Sequence, residues 1–486
     1  MQKRGRVIFL FLFMLSVIMN SMSTAYALVD DETELTTRFE EKIIPLNTVE
    51  AGNGFQDMME LKELLKDKEI IGMGEATHGT REFFQMKHRM FEFLVQEMGY
   101  RVFVIEAEFG GSQKVNDYIL YNKGTLGDAL DAMKFWTWST EEVAEMISWM
   151  KEFNDNESDE NKKIRFYGMD MQALDVSVGY IIEYIDKVDE DSKRFKSALK
   201  KISDNIEKKT VQDLKEEIDI VNELLKRFEV KREEYINKSS EEEYEIDLQH
   251  LNVVIQSIGY NTKVSVASFN YRDKYQAENV QWIHNFEKKR GNDKLMIWAH
   301  NGHVEKYNYN YITLGNNLYN HYGDKYYAVA FDFFKGGFRA KDDSKSSSGE
   351  KSFELKDFTM ESKGERILSL ELKKLNSNLF MLDFEQAIED EEIKEWFSEP
   401  KYIISIGAVF NKTMKYFYKE EITPLVNYDA IIFIEETTAA SGYNVSSNEK
   451  VNEQKAEQKS PIIFVIGILV VGVMLFIVAK KTKKKL

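Results

Sequence analysis

Short apolar runs alternate along this chain with longer stretches whose apolar residues recur every three or four positions. The apolar runs predict strands at 69–73, 101–105, 164–167, 294–298, 326–331, 379–382, 402–406 and 430–434. The helical periodicity predicts helices at 81–98, 141–153, 173–188 and 273–289. Strands that alternate with helices imply βαβ units. The expected fold class is therefore α/β, a mostly parallel sheet flanked by helices. One stretch breaks the alternation. From 189 to 244 the chain is dense in Lys and Glu and has no Pro or Gly. Leu214, Ile218, Val221, Leu225 and Phe228 lie three or four residues apart, the spacing of an amphipathic helix. A hairpin-like helical insertion is expected at about 189–257.

The two ends follow a different pattern. Lys3, Arg4 and Arg6 precede an apolar run at 7–19, and Ala25-Tyr26-Ala27 fits a small-residue cleavage site. Residues 1–27 read as a signal peptide. A second uncharged apolar run, 462–479, is followed at once by Lys480, Lys481, Lys483, Lys484 and Lys485. It reads as a transmembrane helix at 461–479 with a basic cytoplasmic tail at 480–486. A polar linker at 441–460 joins it to the domain at 28–440. The expectation is a single-pass cell-membrane protein whose domain lies outside the cell.

Charge narrows the range of partners. The formal net charge is −17. Setting aside the three leader cations and the five tail lysines removes eight positive charges and leaves −25. Such a surface repels nucleic acid, so no nucleic-acid partner is expected. There are no cysteines, which excludes disulfides and thiolate metal ligands.

The candidate chemistry sits where strands end, which is where open parallel sheets bind ligands. The run at 70–73 leads into Gly74-Glu75-Ala76-Thr77-His78-Gly79-Thr80. The run at 102–105 ends in Glu106, the third run leads to Asp170, and the fourth leads to His300 and His303. A neutral imidazole can take a proton from water, and a carboxylate can orient it. Histidines can also donate hydrogen bonds to a developing oxyanion. Gly74 and Gly79 are expected to let the backbone turn tightly around His78. No Gly-x-Ser-x-Gly elbow is present. Phe135, Trp136 and Trp138 are candidates to line a hydrophobic cleft.

These residues carry a family resemblance. Residues 74–80 resemble the signature of the erythromycin esterase family. So do Glu82-Phe83-Phe84, Ile105-Glu106, Tyr167-Gly168-Met169-Asp170 and Ala299-His300-Asn301-Gly302-His303. The resemblance covers roughly residues 35–440. It implies an α/β hydrolase that needs no metal or other cofactor and opens the lactone ring of macrolides. His78 is then the base, and Glu75, Glu106, His300 and His303 share the catalytic site. Lys87, Arg89 and Asp170 are expected to contact substrate. One departure stands out: esterase members often carry Arg after the first motif, where this chain has Lys87, with Arg89 two residues on. The partners expected are a small ester or lactone and the membrane. Two alternatives stay open. The same histidines and carboxylates could hold zinc or manganese for hydrolysis. The domain could also be a non-enzymatic envelope-binding or assembly protein.

Overall fold

The computed structural model describes residues 34–206, 208–344 and 353–443. The leader, the span at 461–479, the basic tail and all but 441–443 of the linker lie outside the described residues. Among the described residues, no helix is long and apolar enough to cross a membrane.

Twelve strands follow in chain order among the described residues. They are β1 (Ile43–Pro45), β2 (Ile70–Met73), β3 (Val102–Glu108), β4 (Arg165–Asp170), β5 (Leu295–Trp298), β6 (Tyr326–Asp342), β7 (Leu355–Glu361), β8 (Leu379–Asp383), β9 (Lys401–Ile404), β10 (Val409–Phe410), β11 (Lys419–Ile422) and β12 (Ala430–Thr437). The main sheet runs β1-β8-β12-β6-β2-β5-β3-β4. The six strands from β12 to β4 are parallel. β8 and β1 close the edge with antiparallel pairings. The far half of β6 pairs with β7 and β10.

Parallel strands are buried on both faces, which is why they read as continuous apolar runs. Ile71, Met73, Phe103 and Ile105 point to one face, against the helices Arg81–Met98 and Glu141–Asn156. Ile70, Val102 and Val104 point to the other, against the helix Val266–Lys288. This is the period-two alternation of a strand. Each such side chain contributes roughly 1.5–3 kcal/mol when fully buried.

Two expectations are corrected. The strand read at 402–406 forms as β9 (401–404), but its ladder is with β11, outside the main sheet, apart from single bridges of Tyr402 to Ile367 and of Ile406 to Thr77. The insertion is not a hairpin. Four helices, Lys193–Asn205, Lys215–Val230, Arg232–Lys238 and Glu241–Tyr260, pack with Asp175–Val188. They enclose their own core around Ile181, Leu199, Leu224 and Phe228.

Candidate active site

The carboxyl ends of β2, β3, β4 and β5 bring the predicted groups to one edge. Glu75 lies just past β2 and is fully buried. One carboxylate oxygen lies 2.7 Å from His78 Nδ1. The other accepts from Trp298 Nε1 at 2.7 Å and from the Lys87 ammonium. A carboxylate at Nδ1 places the proton there and leaves His78 Nε2 as a bare acceptor. His78 keeps 13% of its side chain open to solvent, while Glu75 keeps none. Trp138 stands edge-on to His78, with ring centres 6.5 Å apart, and forms a wall of the site.

Close backbone packing explains the glycines better than a tight turn. Neither Gly74 nor Gly79 has a positive φ. A Cβ on Gly74 would lie 2.2 Å from Asn301 Oδ1, and one on Gly79 would lie 2.1 Å from the Arg339 carbonyl. β2 stops opposite Val329 while β6 runs on. The Asn301 amide takes the missing strand's place, accepting from Phe331 N and donating to its carbonyl.

His300 begins the short helix Asn301–Val304. Its Nδ1 accepts from Gly302 N at 3.2 Å, so its hydrogen belongs on Nε2. That Nε2 is buried and meets no acceptor at full hydrogen-bond geometry among the described residues, the Ile406 backbone pulling only weakly on the ring. Burial, and then the neighbouring His78, push the imidazole down to about 3, so it is neutral. The His78 and His300 rings lie 5.0 Å apart. A neutral ring thus places a weakly engaged donor beside the candidate base.

His303 is the opposite case. Burial alone would lower its pKa, but Asp273 and Glu106 outweigh burial and hold it up at about 10. Its Nδ1 lies 2.9 Å from Asp273 and its Nε2 lies 3.2 Å from Glu106. Arg272 Nη1 also comes within 3.0 Å of Nε2. With carboxylates at both nitrogens, the ring is a cation, and Glu106 Oε1 sits between the two donors. Burial would raise the Glu106 carboxyl, but His303 and Arg272 hold it well below the usual carboxylate range. Glu106 Oε2 also accepts from His300 N at 3.0 Å.

None of the three residues expected to contact substrate lies at an open surface. Lys87 is fully buried beneath Glu75, with its ammonium 4.4 Å from the Trp298 ring centre. Burial pushes it down to about 8 against the pull of Glu75. Asp170 is fully buried and grips Arg272. Both side chains support site residues and offer no open surface. Arg89 lies two residues beyond Lys87, roughly 200° around a helix of 3.6 residues per turn. It faces away and pairs with Asp57 and the carbonyls of Thr48 and Gly54.

Sequence reading missed Arg272 and Asp273. Arg272 joins Glu106, Asp170 and His303 from a helix 166 positions along the chain from Glu106. No local motif marks it. Among the described residues, no group of three or more His, Asp or Glu is placed to hold a metal ion.

The fold has counterparts. The family model for erythromycin esterase matches residues 95–437, which include Glu106, Asp170, Arg272, His300 and His303 and begin after the His78 loop. Erythromycin esterase type II of Escherichia coli is 25% identical over 336 residues, 62% of this chain and 78% of that protein. YbfO of Bacillus subtilis (strain 168), provisionally named a hydrolase, is 25% identical over 323 residues, 61% of this chain and 69% of that protein. A Bacillus cereus protein of known crystal structure superposes with a TM-score of 0.74 at 22% identity, covering 85% of this chain and 99% of its own. A mutant erythromycin esterase in its open conformation superposes with a TM-score of 0.59 at 14% identity, covering 81% and 96%. At these identities the solved structures show a shared fold.

Proposed function

The chain belongs to the erythromycin esterase family, and from the site it builds we propose a hydrolase of an ester or lactone in which His78 draws the proton from the attacking water. The observation that carries this reading is the Glu75–His78 pair, which leaves Nε2 free beside the His300 ring, whose Nε2–H is only weakly engaged. Water held by His78 Nε2 loses a proton as its oxygen attacks the carbonyl carbon. The carbonyl oxygen gains negative charge, which the His300 donor and the nearby His303 cation favour. Glu106 and Arg272 fix His303, and Asp170 fixes Arg272. Glu75 favours the imidazolium that forms on His78, and Lys87 and Trp298 fix Glu75.

A macrolide lactone is the specific candidate substrate. The E. coli relative carries the name of an esterase for one. The net charge of −17 also favours approach of a cationic amino sugar. A leader at 1–27 and a span at 461–479 would hold the enzyme on the outer face of the cell membrane, where hydrolysis would protect the cell from a macrolide. Incubation of the protein with erythromycin and with simpler esters, with and without a chelator, tests the reading. The expected product is heavier by one water and forms equally well with chelator. A folded protein that adds water to none of them contradicts it.

A further inference from the structure

The helix Val266–Lys288 turns a second face to the helical insertion. Arg272 and Asp273 reach His303 from one side of it. Tyr271, Tyr275, Glu278 and Trp282 recur every three or four residues and follow another line along it. They line a cleft of about 390 Å³ against the helix Glu241–Tyr260. That volume falls within the roughly 300–1,000 Å³ of small-molecule sites. The cleft also holds a fixed set of amides. Asn279 donates to the Met169 carbonyl at 2.9 Å, which settles which end of its amide is the nitrogen. Its oxygen accepts from Gln249 Nε2 at 2.8 Å and from Gln256 Nε2 at 2.9 Å. All three amides are buried. Each glutamine thus spends one amide hydrogen on Asn279 and keeps a second. The half-buried Asn252 reaches Gln249 Oε1 only at 3.4 Å. The aromatic rings are held as firmly. Tyr271 and Tyr275 lie 4.5 Å apart, and Phe286 stacks on Trp282 at 4.8 Å. A Cβ on Gly259 would collide with the Tyr271 hydroxyl, so this glycine inside a helix makes room for that ring.

We propose that this cleft binds a saccharide, at a site separate from the His78 edge. Aromatic rings offer flat apolar surfaces to the C–H faces of a sugar, and amides offer donors and acceptors to its hydroxyls. Other ligand classes fit worse. A purely apolar ligand would cover the spare amide hydrogens and give them no acceptor. The apolar stripe of a partner helix would do the same. An anion would meet the Glu278 carboxylate and a net charge of −17. A sugar hydroxyl both donates and accepts, so it can pair with either end of an amide. The sugar could belong to a free glycan or be attached to the substrate of the ester site. Binding here needs none of the residues assigned to hydrolysis, so the proposal does not rest on the hydrolase reading.

Titration calorimetry of the full chain tests this. The probes are maltohexaose, cellohexaose and chitohexaose, and erythromycin in a His78→Ala background that prevents turnover. Saturable binding of at least one is expected. Trp282→Ala should weaken it about tenfold or more, because it removes a stacking face. Asn252→Ala, at the half-buried edge of the amide set, should weaken it as well, and it keeps the test readable if a thermal melt shows that Trp282→Ala does not fold. Binding of an oligosaccharide that these variants weaken identifies a free glycan. Such binding of erythromycin alone identifies a sugar carried by the ester substrate. Binding of none of the four probes, or binding that both variants leave unaltered, would overturn the proposal.

Discussion

His78 Nδ1 lies 2.7 Å from Glu75 Oε1, while Lys87 and Trp298 occupy the other oxygen of the same carboxylate. The carboxylate is thereby fixed from two sides and can present one oxygen to the ring. Glu75→Gln keeps the shape but removes the charge that favours the imidazolium. It is expected to lower kcat by about 10²–10⁴-fold with KM little changed. Steady-state kinetics on an ester that the unaltered protein hydrolyses check this.

Lys87 tests whether the support under Glu75 matters separately from substrate contact. Lys87→Met fills a similar volume but leaves a buried carboxylate without its cation. Breaking a buried pair from one side costs about 3–5 kcal/mol. Urea denaturation should show that loss, and kcat should fall while KM holds. A rise in KM alone would restore Lys87 as a substrate contact.

Arg272 ties three site residues together. Arg272→Ala strips the cation from Glu106 and Asp170, both buried. The expected cost is again about 3–5 kcal/mol, with loss of activity. Arg272→Lys cannot reproduce the two-sided grip of the guanidinium and should recover stability better than activity. Thermal melts paired with rate measurements separate the two effects.

Stability should fall in acid through buried neutral histidines. Burial pushes His88 down to about 4, and His250 and His300 down to about 3. Unfolded histidine titrates near 6.5, so the unfolded state binds these protons first. Each one therefore costs about 1.4 kcal/mol per pH unit as pH falls below about 6.5, until its folded value is reached. His250 stacks on Tyr180 with ring centres 4.7 Å apart and touches none of the residues placed in catalysis. His250→Phe should flatten the acid limb of stability against pH by one such slope. His303 acts in the opposite sense. Its stabilisation is full below about 6.5 and is lost as pH climbs through about 10.

Much of the fold was legible because parallel strands buried on both faces leave unbroken apolar runs. The runs read at 69–73 and 294–298 match β2 and β5 to within one residue and lead to Glu75 and His300, whereas the run read at 101–105 stops three residues short of the end of β3, which carries Glu106 within it. What escaped was set by contacts distant in sequence. β9 looks like any other apolar run, yet its ladder with β11 forms outside the main sheet. Arg272 reaches the site from a helix with no motif of its own. Arg89 was misread because helical rotation, not proximity to Lys87, decides where a side chain points. The insertion showed its amphipathic spacing, but spacing does not reveal how many helices share a core.

A single assay tests His78 as the base. The most direct measurement is ester hydrolysis by His78→Ala in rising concentrations of imidazole. A base at His78 predicts a loss of about 10²-fold or more that imidazole partly restores in proportion to its concentration. Hydrolysis undiminished in His78→Ala, with the protein folded, would contradict it.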